Sequence, residues 1–465
     1  MRCKVQVVIE TESGEQAHEI ARLEREATEL EQIGLTLAEA KALLMDAQEI
    51  FVQQQVAEYL KRHQDCPECG QVLLHKGSHA ITFRTLFGNL KLPSPRLFHC
   101  ACQPHETRTF SPLPALLGER TSPERLYLET KWGSLISFDM ARKLLGDVLP
   151  LDERINAASI RNHLQKVAQR AEDELGAEQF SFIEGCPNDW AALPRPAPPL
   201  TVGIDGGYVR DWENKQKHFE VIVGKSMPEE GSNKCFGFVQ TYDEKPKRRL
   251  FEVLKSQGMQ MNQQITFISD GGDDVRNLQL YLNPEAEHYL DWFHVTMRLT
   301  VMGQYAQGLP EKPGEDGQVD RSGVKKDLES IKWYLWHGNV ARALDKVEGL
   351  ELLLDGEENL PESGKKLARA VEEFHTYIQA NAPFIPNYGE RWRNDDIIAS
   401  GFVESAVNEV VSKRMVKKQQ MQWTQRGAHL LLQARTKVLN DELDQTFQRW
   451  YPDFRKADAN LKKAA

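Results

Sequence analysis

Two aspartates, each followed by a pair of glycines, are the residues whose types and spacing suggest chemistry. Asp205 ends the apolar run of "TVGIDGG", and Asp270 ends that of "ITFISDGG". Two nearby carboxylates repel, and one tends to protonate unless a cation lies between them. Oxygen ligands on a flexible, hydrated site suit Mg²⁺ or Mn²⁺. Two-metal phosphoryl transfer needs carboxylates of this kind, and the glycines leave room for a substrate.

Both aspartates also have a structural alternative. A strand-end aspartate is often a turn or helix-capping residue, and Asp273 or Asp274 could take the place of Asp270 as a metal ligand. We prefer Asp270 because it directly ends the apolar run 265–268.

The chain from residue 201 has a pattern of strands and helices that would bring the two aspartates together. Apolar alternation and helical spacing predict the order β-β-β-α-β-α-β-α, a mixed sheet with helices on its faces. This order is the one found in the RNase H-like fold, in which the first and fourth strands are neighbours. Asp205 ends the first strand and Asp270 the fourth. We therefore predict a multidomain α+β protein with an RNase H-like α/β catalytic domain.

A third acid usually completes such a site, and Glu404 is the candidate. A mostly helical segment, residues 303–395, follows the first part of the core, residues 201–302. It has the character of an all-α insertion. Glu404 lies on a predicted helix in the closing segment, residues 396–440, and a helix packed on the sheet would bring it to the two aspartates.

Four of the seven cysteines form two close pairs. Cys66 and Cys69 belong to "CPECG", and Cys100 and Cys102 belong to "CAC". The sequence between the pairs alternates like two strands. Residues 63–108 are therefore predicted to be a zinc ribbon, in which a tetrahedral Zn²⁺ supplies the folding energy of a module too small to bury its own core.

The second cysteine pair leaves alternatives open. Its C-x-C spacing is tighter than usual, so His99 or His105 could replace one cysteine. A hairpin with unliganded cysteines is the other reading. A redox C-x-x-C is disfavoured because no βαβ pattern surrounds it.

Residues 1–62 are predicted to be a helical region. The strongly charged segment 14–34 is assigned as helix. Thr36 then begins a capping box with Glu39, and apolar residues follow at helical spacing to about residue 62. We expect this helix to belong to a bundle or a dimer.

Residues 109–185 contain a helix-turn-helix candidate. Apolar spacing predicts helices over 138–145 and 157–171, with a turn-rich segment between them. Arg161 and Lys166 lie on the exposed side of the second helix, where contact with DNA is expected. Bihelical pairs that do not bind DNA are the common alternative.

Residues 411–440 carry seven basic side chains and no acid, with Trp423 among them. Directly after Glu404, such a cluster suits a track for DNA phosphates. A solvated basic helix face is the alternative. The basic residues are Lys413, Arg414, Lys417, Lys418, Arg426, Arg435 and Lys437.

Length and composition set outer bounds. The 465 residues predict several domains, with the proline-rich segment 186–200 as linker and residues 441–465 as a tail. The net charge of −10 argues weakly against binding nucleic acid, although binding faces are local. Few cysteines for this length indicate a reduced, intracellular protein. Neither a membrane-spanning run nor a secretory signal is recognised, and no coiled coil is evident.

Five motifs taken together resemble one known family. They resemble DDE-type transposases of bacterial insertion sequences, in the Mutator-like superfamily and most closely the ISKra family. The resemblance covers residues 201–439, and Asp291 to His294 matches the D-x-x-H motif of that superfamily. The motifs are "VGIDGGYVR", "HFEVIVGKSM", "ISDGGDDVRNL", "LDWFHVTMRL" and "GFVESAVNEVV".

The resemblance implies a catalytic metal-binding triad of Asp205, Asp270 and Glu404. It also implies nicking at element ends and attack of the freed 3′-OH on target DNA. His294 would position the scissile phosphate or protonate a leaving group, supported by Asp291, or would be structural. Double-stranded DNA, a homo-oligomer and the bacterial cytoplasm follow as expectations. An RNase H-like nuclease without strand transfer and a transposase-derived DNA-binding regulator are the alternatives.

Overall fold

The protein is a multidomain α+β chain with two compact units. The computed structural model describes residues 1–11, 14–26, 29–30, 33–102, 107–151, 155–179, 186–194, 198–272, 278, 286–311, 319–415 and 422–455. Unit 1 comprises Met1–Ala168 and Asp441–Ala465, and unit 2 comprises Gln169–Asn440. The boundary therefore falls after Ala168, whereas the sequence placed it in the proline-rich segment 186–200.

The chain begins with a β-hairpin, not with a helix. Strand β1 (Arg2–Thr11) pairs antiparallel with β2 (Gly14–Glu24), so the helix predicted from residue 14 was wrong over β2. The charges taken for a helix surface instead form cross-strand ion pairs, and Lys4 Nζ lies 2.8 Å from a Glu19 carboxylate oxygen. Apolar residues alternate along β1 with the period of a strand.

The next helix and hairpin follow the sequence closely. Helix α1 (Leu37–Arg62) begins at the predicted capping box, in which the Glu39 amide donates to Thr36 Oγ1 at 3.2 Å. Strand β3 (His75–Thr85) pairs antiparallel with β4 (Gly88–Phe98), which also pairs with the short β5 (Thr109–Phe110). This confirms the predicted hairpin between the cysteine pairs. Its apolar side shares a core with α1 that includes Val52, Val56, Ile81, Leu90 and Leu92.

Helices complete the first part of unit 1. They are α2 (Pro112–Leu116), α3 (Pro123–Leu135), α4 (Phe138–Val148) and α5 (Ala157–Glu174), whose last residues belong to unit 2. Helices α4 and α5 confirm the two predicted helical patterns. Gly133 on α3 lets both approach, since a Cβ there would lie 3.0 Å from Ile160 Cγ2 and 3.4 Å from the Phe138 ring.

Unit 2 contains a short helix, α6 (Pro187–Ala191), and a mixed sheet of five described strands. The strands lie in the order β10-β9-β6-β7-β8. Strands β6, β7 and β8 form an antiparallel meander, while β9 and β10 run parallel to β6. The strands are β6 (Leu200–Arg210), β7 (His218–Pro228), β8 (Lys234–Val239), β9 (Ile265–Ser269) and β10 (Ala286–Leu290).

Helices cover both faces of this sheet. Helix α7 (Pro246–Ser256) buries Leu250 and Leu254 against Val202, Ile204 and other apolar residues of one face. The other face receives two later segments of the chain. Because strand side chains alternate, Gly203, Asp205 and Gly207 point to that second face.

The predicted insertion is helical where it is described. Its helices share one apolar core, with buried residues at helical spacing. They are α8 (Trp292–Tyr305), which follows β10 directly, α9 (Arg321–Trp336), α10 (Val340–Asp355), α11 (Glu362–Ala380) and α12 (Tyr388–Arg393).

The chain then returns to the sheet and closes both units. Helix α13 (Gly401–Val407) continues through a π turn (Asn408–Ser412), and α14 (Gln425–Leu439) packs on β8. Helix α15 (Leu443–Trp450) belongs to unit 1, where Phe447 is fully buried. Residues 441–455 are therefore part of a core, not the predicted tail.

Candidate functional site

Three aspartates lie on or directly after three neighbouring parallel strands. The pairing of β6 with β9 reaches Gly203 and Ile268, two residues before Asp205 and Asp270. The pairing of β9 with β10 reaches Ser269 and Leu290, one residue before Asp270 and Asp291. The prediction that Asp205 ends its strand was wrong, because β6 runs on to Arg210 and stays paired with β7. The predicted pairing of the first and fourth strands is confirmed. We call Asp205, Asp270 and Asp291 the aspartate row.

The charges of the neighbouring aspartates affect the pKa of Asp205. It is half-buried, and burial together with the negative charges of Asp270 and Asp291 raises its pKa. The Gly206 amide, which donates to Asp205 Oδ1 at 2.8 Å, and the imidazole of His294 oppose that rise. This is the electrostatic setting in which a cation would be held between carboxylates.

Helix α13 crosses β6 directly over Asp205. A side chain at Gly203 would collide with Val403 and Phe402, and Val407 packs 3.7 Å from the Cβ position of Gly207. These contacts flank Asp205 on the same face of the strand. Glu404 lies between them along the helix and is exposed.

The carboxylates of the proposed triad are not tightly clustered. Asp205, Asp270 and Glu404 do not form a group whose ligand atoms all lie within 4.8 Å of one another. Asp270 Oδ1 accepts a hydrogen bond from the Gly272 amide at 3.0 Å. Asp273 and Asp274, the alternative ligands, lie outside the described residues. Two ions in such a site stand about 3.5–4 Å apart, so ligands of different ions need not meet this spacing.

Asp291 holds the starts of helices α8 and α13 in place. It is fully buried, caps α8 by accepting from the Phe293 amide at 2.9 Å, and accepts from the Ser400 amide at 3.0 Å. The Ser400 hydroxyl also donates to Asp291. Ser400 precedes α13, and the Val403 amide donates to its carbonyl at 2.6 Å. One carboxylate thus fixes the start of the helix that carries Glu404.

His294 lies on the first turn of α8, beside the row. Its Nε2 is 3.6 Å from Asp291 Oδ2, too long for a direct hydrogen bond. Its charge acts on Asp205. Both the phosphate-positioning role and the structural role given to it by sequence are compatible with this place.

The four cysteines of the two pairs converge in unit 1. Their sulfur atoms all lie within 4.8 Å of one another, with Cys66 and Cys102 3.5 Å apart and Cys69 and Cys100 3.4 Å apart. The amides of Cys69 and Glu68 donate to the Cys66 sulfur and lower the pKa of its thiol to about 7. The cluster is a possible four-thiolate metal site.

Of the two histidine alternatives, His99 does not belong to this cluster. The His99 ring stacks on Phe110 with 4.6 Å between centroids, and its Nε2 lies 3.4 Å from Thr107 Oγ1. His105 lies outside the described residues. Four sulfur ligands are sufficient for a tetrahedral ion.

The predicted phosphate track is only partly at the surface. Lys413 and Arg426 are exposed, whereas Arg414 is fully buried 5.3 Å from the Trp423 ring. Burial and the charge of Arg435 lower the pKa of Arg414 to about 9. A contact between Arg414 and DNA is therefore excluded in this conformation, and the reason is the apolar helix packing around it.

Two further members of the track differ from expectation. Arg435 is also buried and donates to the Glu409 carbonyl oxygen at 3.2 Å, so it fixes the π turn to α14. Lys437 is half-buried on the same helix. Lys417 and Lys418 lie outside the described residues.

The second helix of the bihelical pair exposes Arg161 as predicted. Lys166 is exposed too, with its Nζ 3.3 Å from Glu119. His163 on the same helix is turned inward onto Glu129, whose other oxygen accepts from Arg125 Nε at 2.8 Å. These contacts make part of the face structural.

Sequence reasoning missed a buried polar cluster in unit 2. Arg249 donates to Asp243 at 2.9 Å and to both Glu172 oxygens at 2.8 Å, while His429 Nε2 lies 3.3 Å from Glu172. Glu172, Asp243 and His429 have the spacing of metal ligands. The guanidinium already supplies the positive charge, so a metal ion would have to displace it. Gln433 also accepts from Arg249, at 2.6 Å.

The part of the chain that the structure describes includes no helix long and apolar enough to cross a membrane. No protein-family model matches the chain, and no curated protein is significantly similar to it. The site must therefore be interpreted from its own geometry.

Proposed function

We propose that this chain is a divalent-metal-dependent DNA strand transferase, a DDE transposase of an insertion sequence. The observation that carries the proposal is the parallel pairing of β6 with β9, which ends two residues before Asp205 and Asp270, next to the helix of Glu404 that packs on Gly203. The strand order, with an antiparallel meander followed by two parallel strands, is the one expected of an RNase H-like core. Four of the five sequence motifs of the resemblance lie on β6, β7, α8 and the α13 segment of unit 2, and residues 273–277 of the remaining motif lie outside the described residues.

Each residue of the proposed site would have a distinct role. Asp205, Asp270 and Glu404 would hold Mg²⁺ or Mn²⁺, and bound ions supply activation of the attacking oxygen and stabilisation of the leaving oxygen. Asp291 would keep the helix of Glu404 in place through Ser400. His294 would orient the phosphate beside Asp205.

The four cysteines support a second, structural metal in this proposal. A closed set of four thiolates suits Zn²⁺, which needs no open position when its role is structural. Cys66, Cys69, Cys100 and Cys102 would then fix the base of the β3–β4 hairpin. Together with Arg161 and Lys166, this unit would recognise element ends, while Lys413 and Arg426 would contact DNA phosphates.

A strand-transfer assay with a recessed 3′-OH donor end tests the function. A joined product in Mg²⁺ or Mn²⁺ supports a transposase. Cleavage without joining would favour an RNase H-like nuclease, and binding without either reaction would favour a DNA-binding regulator. Loss of both reactions in Asp270→Asn, with DNA affinity retained, would tie the chemistry to the row.

A further inference from the structure

Helix α8 presents a second cation one turn beyond His294. Arg298 is four residues further along, so the two side chains share a face of the helix. Arg298 is exposed, and its guanidinium carbon lies 4.2 Å from the centroid of the Tyr377 ring. Tyr377 belongs to α11, so the helical insertion contributes directly to this place.

Tyr377 lies close to the aspartate row, because Asn381, one turn further along the chain, packs beside Asp270: a side chain at Gly271 would collide with Asn381. The Tyr377 hydroxyl is buried and has no hydrogen-bond partner among the described residues. Burial raises the pKa of Tyr377, Arg298 opposes that rise, and the negative charges of Asp270 and Asp291 add to it. The hydroxyl therefore stays protonated, and the ring next to Arg298 carries no negative charge.

We propose that His294, Arg298 and Tyr377 form an anion subsite that takes a phosphate of the DNA strand next to the aspartate row. The identity of the anion rests on the function proposed above. The imidazole and the guanidinium can donate to phosphate oxygens, and the Tyr377 ring packs against the guanidinium and holds it in place. We call them the anion subsite.

The geometry suits a phosphate better than a packing role alone. A guanidinium stacked on an aromatic ring has one face covered and its N–H groups directed outward in the plane of the fork, which matches phosphate oxygens bidentately. An exposed cation–π pair by itself stabilises by only about 0.5–1 kcal/mol. The negative charges of the aspartate row repel a DNA strand. Positive charge from His294 and Arg298 next to the row would offset that repulsion.

The salt dependence of DNA binding tests the subsite in the full-length chain. The probe is a fluorescein-labelled DNA duplex of about 20 base pairs in Ca²⁺, with affinity measured by anisotropy over a salt series. Arg298→Ala should reduce the slope of log K against log salt by about 1, because one phosphate contact is lost. Arg298→Lys should keep the slope, and Tyr377→Phe, which keeps the ring beside Arg298, should keep both the affinity and the slope.

Arg342→Ala is the matched control, since Arg342 is exposed on α10 of the same helical insertion. It should keep the wild-type slope. A wild-type slope in Arg298→Ala, or an equal loss in Arg342→Ala, overturns the subsite. Mn²⁺ binding by Asp205→Asn is measured separately. Wild-type Mn²⁺ stoichiometry in that variant would overturn the proposed function, while the slope would still decide the subsite.

Discussion

The four thiols of unit 1 and the aspartate row of unit 2 prepare the chain for metal ions in opposite ways. The thiols lie in mutual contact distance, with pairs of sulfur atoms 3.4 and 3.5 Å apart. The carboxylates stand side by side on three strands, and the proposed triad does not close to 4.8 Å. The four thiols surround a single position for a metal ion. The carboxylates leave room for water or substrate around an ion.

The difference follows from what each set must do. A structural ion needs every coordination position filled by protein, and its binding energy becomes folding energy. A catalytic ion must keep positions for water and substrate, so its ligands stand on rigid strand ends and are braced from behind. Asp291 supplies that brace, since it is buried and saturated with hydrogen bonds.

The largest effect is expected at the four-cysteine cluster of unit 1. Cys66→Ser should abolish stoichiometric zinc binding and unfold the β3–β4 hairpin, because structural zinc contributes on the order of 10 kcal/mol in small domains. Zinc content by mass spectrometry and circular dichroism check this. Cys3→Ser, at an exposed cysteine of the same unit, is the control. Full zinc content in Cys66→Ser would remove the contrast between the two sites.

Substitutions in the aspartate row should reduce catalytic activity without reducing the stability of the fold. Asp205→Asn should slow DNA cleavage by roughly 10³-fold, the rate equivalent of several kcal/mol of metal-dependent stabilisation. Its thermal unfolding should match that of the wild type. Asp345→Asn, at an exposed position of α10, should cleave normally. Cleavage by Asp205→Asn at near wild-type rate would show that the residue is misassigned.

The buried cluster around Arg249 sharpens the comparison, because it has metal-like spacing without need of a metal. Contacts with His429 and Arg249 outweigh burial and lower the pKa of Glu172 to about 2. A depressed carboxyl pKa stabilises the fold above its unfolded value of 4.5, and that stability is lost as pH falls toward 2. Glu172→Gln should therefore cost on the order of 3 kcal/mol at pH 7.

The same variant should lose its defect in acid. Urea unfolding at pH 7 and pH 3 measures both differences, and the gap between Glu172→Gln and the wild type should shrink at pH 3. Purified protein should carry no metal in this cluster. An equal gap at both pH values would contradict the proposed charge pairing, and a bound ion there would contradict the role given to Arg249.

The smallest effect is expected at Ser400, whose hydroxyl donates to Asp291. Ser400→Ala removes the hydroxyl that donates to Asp291, a charge-assisted bond of about 1.5–3 kcal/mol. We expect DNA cleavage to fall by roughly tenfold with Mn²⁺ affinity reduced, since Glu404 would be held less firmly. Ser400→Thr should restore both. Ser330→Ala, which removes a local hydroxyl bond in α9, should leave both unchanged.

Local signals in the sequence predicted local structure well. The capping box at Thr36 and the hairpin between the cysteine pairs are present as expected. The pairing of β6 and β9 followed from the order of elements, since few sheet topologies fit that order. Charge density misled at residues 14–24, because paired charges occur on hairpins as well as on helices.

Features that depend on distant residues were not predictable. Arg249 meets Glu172 and His429, which lie 77 and 180 residues away along the chain. Arg414 has the charge of a phosphate ligand but is fully buried, with Trp423 beside it and the charge of Arg435 acting on it. The position of each side chain within tertiary packing decides such cases, and composition alone carries no such information.

The return of α15 to unit 1 has a consequence for synthesis on the ribosome. Tyr127 meets the Phe447 ring with 5.4 Å between centroids, so the core of unit 1 includes residues more than three hundred positions apart. Residues 169–440 are translated between these two segments. Unit 1 therefore cannot complete its core until residues 441–455 have left the exit tunnel, whereas the sheet of unit 2 can form before then.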